Sequence, residues 1–524
     1  MQRVGSRRRG LAGCLFLLVW TIVPSQSWAE AAATAPCGDV LSVEPMAVTT
    51  LSLDPREVDA LRGFYRGRGD RCAWDVAKIL SLRAVLSRAG DQGLDVARYR
   101  PELLDPGRGT LSETARDLFA SAMALRYGRD MVFGRVDLHG IETEIAVRRP
   151  ADDLAAQLDA ALAQPDIVPW LVGLAPSAPA YRRLAEAYRR YRDRPDAADT
   201  APIAAGGLLR LGAAGPRVAA LKARLRRLGD LRDGRDDTRF DASAKAALAA
   251  FQRRHGIADD GRLTRETLAA LNLPDAERLH QLVLNLERWR YFGHVLAPTR
   301  IEVNIAAATV QFIENGRVEM AMRAVVGGRK HESPTLVSPA LDAIVLNPTW
   351  HVPKSIVEQE IEPRLAREPD YLKHNDMHWD NGHLLQSSGP RNSLGRIKFD
   401  FPSPFAVYLH DTPSRTLFAR QDRALSHGCV RVELPRELAL KLLASQDKWT
   451  PERLKIAIDG GATRKIAVPD GPQVALVYWT AFVDEDGTVE FRPDAYGRDV
   501  KLEAALDRVT APPRGAVRLA GVRK

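Results

Sequence analysis

The sequence predicts a multidomain α+β protein: an N-terminal helical scaffold, a small three-helix module, and a mostly-β C-terminal domain carrying an inserted lid. Three observations predict it. The chain has 524 residues, more than one hydrophobic core supports, so three or more domains are expected. The apolar period is that of a helix up to about residue 292 and becomes strict alternation from residue 301. A stretch rich in Pro, Ala, Asp and Gly over 194–207 reads as a linker inside the helical part. Hydrophobic residues at 45% and charged residues at 27% exclude wholesale disorder. Beyond residue 30 no run supplies the ~18 consecutive apolar residues of a membrane-spanning helix.

The first residues read as an export signal. Arg3 and Arg7–Arg9 precede an apolar run from Leu11 to Val23, and Ser27-Trp28-Ala29 offers small residues where a signal peptidase reads, so cleavage is expected after Ala29. An uncleaved N-terminal anchor is the alternative. Removing residues 1–29 deletes four arginines and no acid, so a formal charge of +9 falls to +5. Spread over so long a chain, that remainder argues against a nucleic-acid partner. Export also changes what the cysteines mean. Cys37 and Cys72 are a candidate disulfide in an oxidising compartment, closing a loop worth about 3–4 kcal/mol by chain entropy. Cys429 is then left over, and an unpaired thiol in an exported protein is a liability unless it performs chemistry.

Taken in order, residues 40–192 read as helical. Val76, Ile79, Leu82 and Leu86 recur at helical spacing, as do Tyr181, Leu184, Tyr188 and Tyr191. Residues 208–273 form a compact unit. Val218, Leu221, Leu225 and Leu228 give one stripe closed by Gly229, and Ala247, Leu248 and Phe251 a second closed by Gly256. Thr264 can cap a third short helix bearing Leu268 and Leu271. A helix over 276–292 leads into the strands. Ile301, Val303 and Ile305 alternate with polar residues, Val310 and Phe312 continue, and Asn315-Gly316 supplies a tight hairpin turn. Further strands are expected over 322–326, 343–346, 406–409 and 474–483. Between them, residues 355–400 read as an insertion covering a sheet-built site.

Cys429 sits in Ser426-His427-Gly428-Cys429-Val430-Arg431, among polar residues and glycine. A thiol becomes a nucleophile as its thiolate, and a nearby imidazole can take the proton. His410, nineteen residues earlier at the end of an apolar run, is the expected base. His427 is too close along the chain to aim its ring at the sulfur. The backbone N–H groups of His427, Gly428 and Cys429 are expected to form an oxyanion hole, because glycine lets backbone approach a substrate carbonyl. Arg431 either binds a substrate carboxylate or pairs with a nearby acid.

His410-Asp411-Thr412 followed by Ser-His-Gly-Cys-Val-Arg at 426–431 resembles the signature of the L,D-transpeptidases, with their YkuD-type catalytic domain. Val326-Gly327-Gly328, Pro334-Thr335, the run 347–353 and Asn392-Ser393-Leu394-Gly395-Arg396 agree with it. Upstream, Leu211-Gly212, Gly215, Val218, Leu221, Phe240, Phe251-Gln252, Gly256, Asp260-Gly261 and Leu271-Asn272 resemble the peptidoglycan-binding three-helix module. The order of parts is similar to the large YcbB-type enzymes of the Gram-negative periplasm. The resemblance implies residues 1–29 as signal peptide and 30–200 as helical scaffold. It implies 206–273 as wall-binding module, 299–461 as catalytic domain with a lid over about 355–400, and 462–524 as a β extension.

It further implies a periplasmic enzyme needing no cofactor, acting on peptidoglycan stem peptides. Cys429 attacks the third residue of a tetrapeptide stem, His410 serves as base, and D-alanine leaves. An amine of a second stem then resolves the thioester into a 3→3 cross-link. Tyr408 and Trp350 line the pocket, and Ser426 and Arg431 contact substrate. Acylation by carbapenems is implied as well. Two other readings compete. His374, His378 and His383 with Asp376 and Asp380 could belong to a zinc peptidase, since His374 and His378 would share one helical face. A non-catalytic wall-binding scaffold is the second.

Overall fold

The computed structural model describes residue 53 and residues 55–108, 111–142, 144–148, 153–194, 201–232 and 238–510. The expected signal and Cys37 lie outside the described residues. Cys72 is disulfide-bonded. No helix of the described residues is long and apolar enough to cross a membrane.

The helical region consists of α1 (Pro55–Gly67), α2 (Val76–Ser87), α3 (Glu113–Val132), α4 (Leu154–Leu162), α5 (Val168–Gly173) and α6 (Pro179–Arg192), with a short strand β1 (Ile145–Ala146) before α4. Helix α3 runs through the middle and is buried on nearly every side; Ala120, Ala122 and Ala124 let neighbours approach it closely. Its N-terminus is capped by Ser112, whose hydroxyl accepts the Ala115 N–H at 3.2 Å. On α2 the expected stripe is buried at Ile79, Leu82 and Leu86, but Val76 is 60% exposed because the first turn overhangs the core. Tyr181, Leu184, Tyr188 and Tyr191 of α6 are all buried.

The module consists of α7 (Pro216–Leu228), α8 (Ala242–Arg254) and α9 (Arg265–Leu271). Its stripes converge on one cluster containing Val218, Leu221, Leu225, Leu248, Phe251 and Leu271. Gly229 ends α7 at φ +85°, a left-handed angle that favours glycine. Phe251 is fully buried and its ring stacks on His255 at 3.9 Å. Phe251→Ala is therefore expected to cost about 3–5 kcal/mol of the module's stability. Urea unfolding measures it, and a loss below about 1 kcal/mol would mean the site collapses without a cavity.

Helix α10 (Asp275–Phe292) joins the module to the sheet domain. Trp289 on it stacks against Trp479 at 4.8 Å with the rings nearly parallel. The sheet domain begins with β2 (Arg300–Asn304), β3 (Thr309–Glu314) and β4 (Arg317–Gly327), with Asn315 and Gly316 at positive φ in the hairpin turn as expected. Then follow β5 (Thr335–Ser338), β6 (Ala343–Leu346) and β7 (Trp350–His351). The insertion contains α11 (Lys354–Ile356), a π-helical turn (Val357–Ile361), α12 (Glu362–Leu365), α13 (Tyr371–His374), β8 (Met377–Asp380) and β9 (His383–Gln386). It has its own apolar cluster of Val352, Val357, Ile361, Met377 and Leu384, and β7 pairs with β9 to complete its small sheet.

The chain returns through β10 (Ile397–Asp400), β11 (Leu409–His410), β12 (Ala424–Ser426) and β13 (Val430–Val432), then α14 (Pro435–Leu442) and α15 (Pro451–Asp459). It closes with β14 (Arg464–Ala467), β15 (Gln473–Val477), β16 (Ala481–Val483), β17 (Val489–Phe491) and α16 (Arg498–Thr510). The main sheet has twelve strands, ordered β1-β5-β15-β2-β3-β4-β13-β11-β10-β6-β14, with β12 alongside β4.

Two sequence boundaries differ from this architecture. The insertion ends before Ile397, because β10 pairs with β6 and β11 in the main sheet. Residues 462–510 are no appended extension: β15 lies between β5 and β2, and Leu502 and Leu506 of α16 pack into the scaffold core. These segments complete a sheet whose other strands lie far away along the chain, a relation that local periodicity does not carry. The expected strand 406–409 is also reduced to β11, since Ala406 has φ +52° and bends the chain just before it.

Candidate active site

The site is built where β11 and β13 run parallel, with Leu409 opposite Val430 and His410 opposite Arg431. Because side chains alternate along a strand, Tyr408, His410, Cys429 and Arg431 share one face. Lys398 of β10 joins them as the register partner of His410. Cys429 is the free cysteine of the described residues and is half-buried. The apolar positions beneath, Leu409, Val430 and Val432, are fully buried and fix the register.

The sulfur meets Tyr408 first. Tyr408 lies next to both Cys429 and Trp350, and burial, with Cys429 beside it, pushes its hydroxyl well above the ordinary tyrosine value. Burial pushes the Cys429 thiol up, while Tyr408 and the charges of Lys398 and Arg431 pull it down. Lys398 Nζ also lies 4.3 Å from the centre of the Tyr408 ring. His410 is 4% exposed, and its Nδ1–H donates to the Asp411 carbonyl at 2.6 Å rather than bonding the thiol. Burial first, then the Arg431 charge, lowers its pKa to about 3. The resting site thus presents a neutral thiol and a neutral imidazole on one face.

Other expected residues stand differently. The Ser426 hydroxyl donates to the Cys429 carbonyl at 2.5 Å and accepts the Gly428 N–H at 3.3 Å. Both bonds are internal to the loop, so Ser426 shapes the nucleophile turn. The Gly428 N–H is committed by the same contact, which leaves the N–H groups of His427 and Cys429 as the donors available for an oxyanion. Gly428 itself has φ +106°, which accounts for glycine there. The His427 ring turns away from the sulfur: its Nε2 bonds Glu360 in the π-helical turn, tying lid to loop. Arg431 makes no ion pair among the described residues, its Nε is buried without a partner, and burial lowers its pKa.

The zinc reading does not match the geometry. His374 ends α13, whereas His378 and His383 lie on the β8–β9 hairpin, so no helical face joins them. Asp376 forms a two-pronged pair with Arg391. Among the described residues no group of three His, Cys, Asp or Glu side chains is placed to hold a metal ion. Sequence reasoning missed Lys398; its signal was a lone cation in the alternating strand Ile397-Lys398-Phe399.

A half-buried thiol, an imidazole and a guanidinium without an ion-pair partner among the described residues thus share one sheet face. Residues 298–452 match the family model of the L,D-transpeptidase catalytic domain. Residues 59–187 match a scaffold domain, and 214–271 match a "Putative peptidoglycan binding domain". A Haemophilus influenzae protein described as a "Putative L,D-transpeptidase" is 30% identical over 275 residues, covering 48% of this chain. The chain spans about half the length of that curated relative, 55% of it. Among solved structures, an L,D-transpeptidase from Xylanimonas cellulosilytica is 20% identical, covering 52% of this chain and 99% of that one at a TM-score of 0.17. One from Stackebrandtia nassauensis is 16% identical, covering 51% and 94% at 0.22. With scores this low, neither structural likeness carries an argument.

Proposed function

We propose that the chain is an exported L,D-transpeptidase that joins peptidoglycan stems through a thioester on Cys429. The observation that supports it is the shared face of Tyr408, His410, Cys429 and Arg431 across β11 and β13, inside a domain of that family. The neighbouring wall-binding module gives the same substrate class.

In this reading Cys429 Sγ attacks the carbonyl of the third residue of a tetrapeptide stem while His410 takes the thiol proton. The bond from Nδ1–H to the Asp411 carbonyl fixes the tautomer, leaving Nε2 as the basic atom. The tetrahedral oxyanion rests on the N–H groups of Cys429 and His427. Collapse breaks the amide bond, His410 returns its proton to the leaving amine, and D-alanine departs. The amine of a second stem attacks the thioester, losing its proton to His410, and frees the thiol as the 3→3 cross-link forms. Lys398 and Arg431 suit this cycle because both charges favour thiolate and disfavour imidazolium. The proton therefore moves on readily.

Arg431, lacking an acid partner, receives a carboxylate of the stem. Arg431→Ala is expected to raise KM for a tetrapeptide muropeptide by about 10–100-fold, the scale of one lost charged hydrogen bond. An unchanged KM would return Arg431 to a structural role. The reading as a whole is tested by incubating the protein with a tetrapeptide muropeptide and following free D-alanine and the mass of Cys429. Folded protein yielding neither adduct nor D-alanine would leave the wall-binding scaffold as the better account. Iodoacetamide should abolish the activity and EDTA should leave it intact.

A further inference from the structure

The backbone carbonyls of the nucleophile turn are held from outside by residues 327–333, and that contact has a geometrical consequence. The Ser333 hydroxyl, fully buried, donates to the Gly428 carbonyl at 2.7 Å and accepts the Gly327 N–H at 2.9 Å. The Gly328 N–H donates to the Ser426 carbonyl at 2.9 Å. A trans peptide is planar, with its N–H pointing opposite to its C=O. Fixing the Gly428 carbonyl therefore aims the Cys429 N–H, and fixing the Ser426 carbonyl aims the His427 N–H. Neither of these N–H groups has an acceptor among the described residues. They are the two donors that the Gly428 contact with Ser426 left available.

Ser333 is in turn held by the segment leading into α16, which the helical region braces through Glu142. Arg498 of α16, 3% exposed, donates to the Ser333 carbonyl at 3.0 Å, to Glu332 at 2.9 Å and to Glu142 of the helical region at 3.0 Å. The Ser333 N–H donates to the Tyr496 hydroxyl at 3.3 Å. The crossing at Gly327 is so tight that a Cβ there would lie 2.2 Å from the His331 carbonyl. We propose that Ser333, locked by Arg498 and Glu142, is a positioning residue that aims the oxyanion donors of Cys429 and His427, so that scaffold and C-terminal helix act on the rate of acylation. This rests on Cys429 being the acylated nucleophile.

Two reactions of the same sulfur separate the alternatives. Acylation by a tetrapeptide muropeptide builds an oxyanion; alkylation by iodoacetamide does not. Ser333→Ala is expected to slow acylation about 10²–10³-fold, the cost of one misaimed oxyanion donor, with KM and the pH profile of alkylation unchanged. Ser333→Thr, which keeps the hydroxyl, should restore acylation to within about tenfold of the parent. Arg498→Lys, which loses the two-pronged grip, should slow acylation about tenfold with the same pattern and carries the test if Ser333→Ala does not fold. Equal slowing of acylation and alkylation, or acylation unchanged in the folded variants, overturns the proposal. A parent protein that alkylates at Cys429 but never acylates overturns the functional reading instead.

Discussion

Cys429→Ala is expected to abolish D-alanine release and the covalent adduct while leaving the fold intact. The loss should be about 10⁶-fold, because a covalent nucleophile and its base act as one unit. The residue is half-buried at the mouth of a loop whose hydrogen bonds run through backbone and through Ser426 and Ser333, so removing the sulfur disturbs little packing. Release of D-alanine is read by coupled assay and the adduct by mass spectrometry, with thermal melting as the control. More than about 1% residual release in a folded variant would place the nucleophile elsewhere, since background catalysis from binding and oxyanion donors alone is far smaller.

His410→Ala should slow acylation about 10²–10⁴-fold, the usual worth of a positioned general base, and should change the pH profile in a way that reveals its role. In the parent, the imidazole loses its proton near pH 3 and burial holds the thiol above its ordinary value. The competent pair, thiol with neutral imidazole, then exists from about pH 3 upward, so the acid limb of kcat/KM lies far below the ordinary histidine value of 6.5. Without the imidazole the residual rate should rise with pH as thiolate forms. An acid limb at 6.5 in the parent would mean that His410 is solvated or ion-paired in solution. The same shift affects stability. The unfolded chain takes up a proton near 6.5 that the native site refuses until about 3, so His410 contributes stability above 6.5 that is lost as pH falls towards 3.

The helical stripes were legible because burial repeats with the helix itself: Leu221, Leu225 and Leu228 had only to face one neighbour. Val76 failed the same test, since periodicity marks a face without saying where along the helix the neighbour ends. The thiol and imidazole could be picked out as chemical types with a spacing, and the resemblance supplied their roles. The part Ser426 plays in the turn was not legible, because a hydroxyl in a motif can serve the turn or the substrate, and its two internal hydrogen bonds appear only once the loop is folded. Lys398 carried only the faint signal of a cation in an alternating strand and Ser333 none, because each meets the site only through strand pairing or a loop crossing.

Local order, then, belonged to the amino-acid sequence: helices from a 3.6-residue period, the Asn315-Gly316 hairpin from backbone angles, the reactive cysteine from its polar surroundings. Tertiary structure alone decided how the pieces serve one another. It threads β15 between β5 and β2, docks α16 into the scaffold core, and holds the carbonyls of the nucleophile turn from the far side. The physical reason is that local propensities act over a few residues, whereas register, burial and charge around Cys429 are set by strands and loops that the chain brings together from separate stretches of the sequence.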